Sequence, residues 1–257
     1  SYNIGIGNAV MQGAMDTAEN NTAVGMKALN ALTTGDGNTC FGFEAGNDIT
    51  VGGNNVCIGE RAGDAMTDTT TTVLIGANAG GAINDTGANG TVAIGVSALT
   101  ALTSGARNMG IGYTAGGLIT DGTDNTLIGY NSGNQGTYGI VGGDYNTALG
   151  SSTLGASAAA AITGSGNTAI GYNAMLEAQG AVASNTAVGS SALGNITIGS
   201  NNVAIGASAG DAITIGVYNT AIGGAALGAE TIGDRSTAVG YQSLFLQVSD
   251  SDNEQAR

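Results

Sequence analysis

The stretch Asn167-Thr168-Ala169-Ile170-Gly171 decides the fold, because near copies of it recur along the whole chain. Aligned on the closing glycine there are fourteen copies, and eight of the thirteen steps between successive glycines are 17 residues long. A fixed period of this length is typical of solenoid proteins, in which each repeat forms one coil. The aligned glycines are Gly7, Gly25, Gly42, Gly59, Gly76, Gly95, Gly112, Gly129, Gly150, Gly171, Gly189, Gly206, Gly223 and Gly240.

Each position of the repeat has its own character. The residue before the glycine is apolar in all fourteen copies, and the residue four before it is Asn in eleven. Because side chains alternate along a strand, the residues one and three before the glycine share a face, which we expect to point inward. A second extended segment is expected after the glycine, running through an Ala three residues on to an aliphatic residue seven on. Turns rich in Gly, Asn, Asp and Thr separate the two segments.

A unit of two short strands cannot bury its own apolar face, whereas stacked copies can. The sequence therefore predicts an all-β fold, a parallel β-solenoid or β-roll of about 14 turns with 17-residue repeats. Equivalent residues then form ladders, including an inward Ile ladder. The domain is predicted to span 1–245, with 246–257 a polar tail or a link to further sequence. The ladder residues are Asn21, Asn38, Asn55, Ile58, Ile75, Ile94, Ile111 and Ile128.

Composition excludes several function classes. The net charge of −14 argues against nucleic-acid binding, which requires basic patches. No segment reaches the roughly 20 uninterrupted apolar residues of a membrane helix, so no membrane insertion is expected. The chain contains no His, which rules out a Ser-His or Cys-His pair. Acids of adjacent turns, such as Glu44 with Glu60 or Asp64, approach the spacing of a carboxylate pair, but solvated surface charge is the favoured interpretation. We expect no enzyme activity.

The repeat resembles two known groups of proteins. The stretches Asn167-Thr168-Ala169-Ile170-Gly171-Tyr172-Asn173-Ala174-Met175 and Ser236-Thr237-Ala238-Val239-Gly240-Tyr241-Gln242-Ser243-Leu244 resemble the head repeats of YadA-like trimeric autotransporter adhesins. They also resemble the NTAIGYxAL repeats of phage tail-fibre-like proteins. The period here is 17 residues rather than about 14, so larger turns are expected. The resemblance implies a homotrimer of rolls packed side by side, and the Ala column would let neighbouring rolls approach closely.

The predicted function is a structural and adhesive fibre segment, a phage tail fibre or appendage, on a virion surface or outside the cell. It spaces or presents binding to a host cell-surface glycan or protein, and its own copies are its partners. The alternative is the head domain of a bacterial trimeric autotransporter adhesin. We also expect the natural polypeptide to continue beyond one or both ends, because open solenoid edges need caps.

An ice-binding solenoid is a third, weaker hypothesis. Threonine arrays occur in such proteins, and residues 67–72 read TDTTTT. However, the Thr that alternates with Val at the first strand position is expected to face inward, which argues against this hypothesis.

Four smaller features carry candidate chemistry. Tyr113, Tyr130, Tyr172 and Tyr241 share the position after the glycine and are candidate glycan contacts, although covering a groove is the commoner use of Tyr. The turns at 120–125 and 35–38 are rich in oxygen ligands that suit Ca²⁺, but Asp and Gly also simply make turns, so no cofactor is expected. Cys40 and Cys57 lie 17 residues apart in one column. Small apolar thiols are the favoured interpretation, with a disulfide left open.

Overall fold

A computed structural model of the protein describes residues 2–136, 138–155 and 160–248. The chain divides into two compact units, Ser1–Asn125 (unit 1) and Thr126–Arg257 (unit 2). Of the predicted polar tail 246–257, residues 249–257 lie outside the described part. In both units the chain winds as a parallel β-solenoid, as predicted.

Every copy of the repeat contributes one three-residue strand that ends just before its glycine. Fourteen such strands delimit about 13 turns with a spacing of about 17 residues. Unit 1 contains β1 (Ile4–Ile6), β2 (Thr22–Val24), β3 (Thr39–Phe41), β4 (Val56–Ile58), β5 (Val73–Ile75), β6 (Val92–Ile94) and β7 (Met109–Ile111). Unit 2 contains β8 (Thr126–Ile128), β11 (Thr147–Leu149), β12 (Thr168–Ile170), β13 (Thr186–Val188), β14 (Val203–Ile205), β15 (Thr220–Ile222) and β16 (Thr237–Val239).

The strands pair in parallel, with equivalent residues opposite one another. Ile58 pairs with Ile75, Ile75 with Ile94, and Ile94 with Ile111. In unit 2, Ile128 pairs with Leu149 in the same register. The turns are bonded from coil to coil as well: the Lys27 amide donates to the Asn8 carbonyl, and the Leu29 amide to the Ala45 carbonyl. Hydrogen bonding along the solenoid axis therefore extends well beyond the strands.

The segment after each glycine is a series of turns, so the prediction of a second strand there was wrong. In most copies the second and fourth residues after the glycine have positive φ, as at Lys27 (φ 60°) and Leu29 (φ 48°). Two left-handed residues two positions apart cannot belong to a strand, since strand residues have negative φ. This conformation also explains why the fourth position is Gly in several copies, such as Gly46 and Gly63 (both φ 58°).

The closing glycine is required by both its conformation and its surroundings. Gly59 has φ +130° and Gly206 has φ +132°, a region open in practice only to glycine. A Cβ on Gly59 would lie 2.7 Å from the carbonyl oxygen of Gly76, and one on Gly206 would lie 2.8 Å from that of Gly223. The glycines of successive turns thus allow the coils to approach at this corner.

In most turns, a large residue at one of two core positions accompanies a smaller residue at the other. Where the fourth residue after the glycine is large, as at Leu29, the preceding strand has a small central residue, Ala23. Where that position is Gly46, the strand centre is Cys40, and a Cβ on Gly46 would lie 2.7 Å from its Sγ. The larger fully buried side chains include Leu29, Leu32, Ile49, Met66, Leu74, Ile83, Leu99, Leu102, Ile119, Leu127, Ile140 and Leu154.

A buried asparagine ladder closes one corner of the coil. The Asn202 Oδ1 accepts from the Asn219 amide (2.9 Å) and from Asn219 Nδ2 (3.1 Å). Asn202 Nδ2 in turn donates to Asn185 Oδ1 (3.1 Å) and to the Gly216 carbonyl (2.8 Å). The same pattern joins Asn21, Asn38 and Asn55, all fully buried. Each buried amide therefore meets complementary groups on the turns before and after it.

Threonine replaces asparagine at two successive positions of the ladder in unit 1. In unit 1 the column continues from Asn55 as Thr72 and Thr91, and the Thr91 hydroxyl is buried without a hydrogen-bond partner among the described residues. The 19-residue step that precedes Thr91 contains a short 3-10 turn, Thr86–Ala88, capped by Asp85. In unit 2 an antiparallel hairpin, β9 (Asn134–Gln135) and β10 (Tyr138–Gly139), occupies one of the two 21-residue steps. No helix in the described residues has the length and apolarity needed to cross a membrane.

Candidate functional surface

The outer side of the strands is an uncharged and largely apolar surface of each unit. The middle residue of a strand faces the core, while the first and third residues face outward. We call these outward residues the strand face. None of the fourteen strands carries a charged side chain. Phe41 in unit 1 is 57% exposed, and Leu149 in unit 2 is 44% exposed.

The prediction that the Ile column points inward was therefore wrong. Ile58 is 36% exposed, whereas Cys57 beside it is fully buried. Alternation correctly places the first and third residues on one face, but it does not say which face is the inner one. Large residues from the turns, such as Leu32 and Ile49, fill much of the interior, and most strands place Ala, Gly or Cys inward. The Ala column is fully buried inside each coil, as at Ala23 and Ala28, so it cannot bring neighbouring rolls together.

The strand faces of the two units differ in chemistry. In unit 1 the first column is mostly aliphatic, with Thr at only two of seven positions, Thr22 and Thr39. In unit 2 the same column is Thr at six of seven positions, the exception being Val203. These threonines point outward, so the expectation that they face inward was also wrong. Unit 2 thus presents a row of hydroxyl and methyl groups beside its aliphatic column.

The four tyrosines of the position after the glycine are exposed, from 53% at Tyr113 to 78% at Tyr241. They do not form one continuous row. Within unit 2, the turn between Tyr130 and Tyr172 carries Ser151 at the equivalent position, and three turns separate Tyr172 from Tyr241. The Tyr241 ring lies over Gly224, where a Cβ would come within 3.4 Å of it. Within unit 2, Tyr130, Tyr172 and Tyr241 are therefore separate platforms on the surface.

Glu44 lies between two cations of the neighbouring turns. Lys27 Nζ is 3.0 Å from Glu44 Oε1, and Arg61 Nε is 2.9 Å from Oε2. Hydrogen bonds from Lys27 first, and then from Arg61, lower the pKa of the Glu44 carboxyl. Partial burial instead raises the pKa of Asp64. A carboxylate held between two cations is suited to joining neighbouring turns.

The oxygen-rich turns use their carboxylates within the protein. Arg107 forms a bidentate pair with Asp124, with Nε to Oδ1 and NH2 to Oδ2 both at 2.7 Å. This pairing lowers the pKa of Asp124. In the other turn, Asp36 Oδ1 accepts from the Glu19 amide at 2.7 Å. Within the described residues, no three His, Cys, Asp or Glu side chains are grouped to hold a metal ion.

Cys40 and Cys57 are free thiols in adjacent strands and are directly paired in register. Both are buried, at 1% and 0% exposure. The hydrogen bond with Cys40, together with burial, raises the pKa of the Cys57 thiol well above its usual value. Since the thiolate is the reactive form, these thiols are suited to packing in place of the alanine found in other turns.

A second apolar surface of unit 2 was not found from the sequence. Ile198, Ile215 and Ile232 stack in successive turns at the ninth position after the glycine. With Val217 and Asp234 they line a shallow groove of about 240 Å³, which we call the isoleucine groove. The sequence signal was the triplet Ile-Gly-Xaa repeated at 198–200, 215–217 and 232–234.

No protein-family model, curated protein or solved structure matches this chain.

Proposed function

We propose that this chain is a structural and adhesive fibre segment that assembles as a homotrimer outside the cell or on a virion. The observation that carries the proposal is the strand face, an uncharged surface with an apolar residue at the third strand position on every turn of both units. Such a surface is costly to leave in water and favours association with other copies. The resemblance to trimeric adhesin heads and phage fibre repeats supports three copies.

The dimensions of the strand face agree with a subunit contact. Three residues at about 3.3 Å give a width of about 10 Å, and seven strands about 4.8 Å apart give a length of about 34 Å. Each unit thus presents about 340 Å². A stable interface buries about 800 Å² on each partner, so the strand face of one unit supplies about two fifths of such an interface.

The proposed task of the assembled fibre is to hold or present contacts to a host-surface glycan or protein. Exposed rings at Tyr172 and Tyr241 are suited to stacking on the apolar face of a sugar. The same arrangement serves a phage fibre and the head of a bacterial adhesin. The flanking sequence distinguishes the two, since a coiled coil with a membrane anchor indicates the adhesin and a tail-attachment domain indicates the virion.

Native mass spectrometry of the chain tests the assembly, and a trimer is expected. Ile58→Asn and Ile222→Asn place an amide on the strand face of unit 1 and unit 2 and should weaken the trimer. Ser190→Asn is the matched control, because Ser190 is exposed at the position after the glycine and outside the strand face. A wild-type chain that remains a monomer at micromolar concentration contradicts the assembly. Glycan-array binding that is lost in Tyr172→Ala tests the contact separately.

An ice-binding function is a second candidate, and the outward threonine row of unit 2 favours it. Thr126, Thr147, Thr168 and Thr186 occupy four successive strands at a regular spacing. Ordered hydroxyl and methyl groups at a fixed repeat are suited to holding water in a lattice. Thermal hysteresis of the purified chain is the test: Thr168→Lys should abolish it and Ser190→Lys should not. Because a covered face cannot meet ice, a stable trimer together with absent hysteresis ends this candidate.

A further inference from the structure

The isoleucine groove is an apolar surface that the coil itself does not require. Ile198 is 58% exposed and Ile215 is 41% exposed. In unit 1 the equivalent position is mostly polar, with Thr34, Asp68 and Asp121 among its residues, and the coil forms equally well there. Two exposed isoleucines, stacked with a third that is half-buried, therefore favour a partner rather than a role in folding.

The groove has walls at a fixed spacing along the solenoid. Its two sides are the ninth and eleventh positions after the glycine, and a buried glycine, Gly216 or Gly233, separates them. The Val217 amide donates to Asp234 Oδ1 at 2.8 Å, which fixes one wall. A groove of this form fits a row of aliphatic side chains that repeats with the same rise of about 4.8 Å per turn. The outward Ile and Val column of the strand face is such a row.

We infer that the isoleucine groove is the second half of the subunit contact and receives the strand face of a neighbouring copy. This inference rests on the proposed trimer. A closed ring of three is built from heterologous contacts, in which one surface of each copy meets a different surface of the next. Unit 2 presents two apolar surfaces of matching period, and the ring contact covers both. The occupant of the groove is the strand face of unit 2 in the next copy, which contains Ile205 and Ile222.

A two-fold dimer is the competing arrangement. It would pair strand face with strand face and would cover about 340 Å² of flat surface per unit. However, it would leave Ile198 and Ile215 exposed to water. The ring contact removes both apolar surfaces from solvent, and the stabilising free energy scales with the apolar area removed from water. The two arrangements predict different cross-links, so they can be separated experimentally.

The experiment uses cysteines on the two surfaces of the full chain. Cys40→Ala/Cys57→Ala provides a background without native thiols, since most other turns have Ala at that position. Into it are placed Ile215→Cys, Ile222→Cys, or both. Each protein is treated with a short bis-maleimide and separated on a denaturing gel, with native mass spectrometry of each variant as the control for assembly. The expected result is a cross-linked trimer from the double variant and uncross-linked chains from either single variant.

Each other outcome overturns the inference in a recognisable way. Cross-linked dimers from Ile222→Cys alone indicate a two-fold contact between strand faces. A trimer by native mass spectrometry with no cross-link in the double variant leaves the proposed assembly in place but rejects the groove as its contact. A wild-type chain that is monomeric rejects the proposed trimer and the inference together.

Discussion

Removal of one amide from the middle of the asparagine ladder should destabilise unit 2 far more than removal of a hydroxyl from its last turn. Asn202→Ala deletes two bonds donated by Nδ2, to Asn185 and Gly216, and two accepted by Oδ1 from Asn219. At about 1 kcal/mol net for each hydrogen bond, the free energy of unfolding should fall by about 4 kcal/mol. Buried groups left without partners on Asn219 and Gly216 add to this cost.

Ser236→Ala is the matched control, because Ser236 occupies the same column. Its hydroxyl is buried without a partner among the described residues, and its backbone amide still donates to Asn219 Oδ1 at 2.9 Å. The change should therefore be close to neutral. Urea denaturation followed by far-UV circular dichroism measures both variants, with unfolding midpoints compared at equal slope. If Asn202→Ala lies within about 1 kcal/mol of Ser236→Ala, the ladder is not the stabilising element that its geometry indicates.

Three further predictions follow from other positions. Gly59→Ala should prevent folding of unit 1 or reduce its stability severely, because the new Cβ would lie 2.7 Å from the Gly76 carbonyl oxygen. Gly136→Ala is the control and should cost about 1 kcal/mol, because Gly136 has φ +67° but no atom lies within 4 Å of the new Cβ. Thermal unfolding followed by circular dichroism compares the two variants, and equal losses of stability contradict the close approach of the turns. Thr91→Asn should raise the stability of unit 1 by about 1 kcal/mol by offering an amide to Asn108, and an unchanged midpoint in urea counts against it. Because the Glu44 pKa is lowered in the folded state, the stabilisation from its ion pairs is present above the ordinary Glu pKa of 4.5 and is lost as the pH falls through the folded value. The melting temperatures of wild type and Glu44→Gln should therefore differ at pH 7 and converge in acid, and a gap that persists at low pH refutes this account.

The sequence predicted the coil and its register because both depend on periodicity. Copies aligned on Gly42, Gly59 and Gly76 place Cys40 beside Cys57 and Ile58 beside Ile75, and the structure shows these pairs. The inner and outer faces were not predictable in the same way. Large and small strand residues alternate whichever face is assigned to the core. The correct assignment depends on how much volume the turns contribute to the core, for example through Leu29 and Ile49.

The turns were the other feature that the pattern did not reveal. Lys27, Glu44 and Arg61 share a left-handed conformation that no preference of Lys, Glu or Arg would indicate. The backbone hydrogen bonds between turns impose this conformation, and these bonds form only in the folded coil. The tyrosines were predicted to share one position of the repeat, and Ser190 and Ala207 at that position separate Tyr172 from Tyr241. The isoleucine groove was not predicted, because its repeat covers only three turns.

The amide ladder gives the coil a polarity, because each Asn oxygen faces the following turn and each Nδ2 donates to the oxygen of the preceding one. Any turn with Asn at this corner therefore offers an Oδ1 that accepts the same two hydrogen bonds from the turn that follows it. Excision of a complete 17-residue segment, for instance 190–206, would bring Asn219 against Asn185 with the same donor and acceptor atoms. Gain or loss of whole turns by genetic recombination thus preserves the asparagine hydrogen bonds at this corner, whereas an insertion or deletion of a few residues within a turn does not.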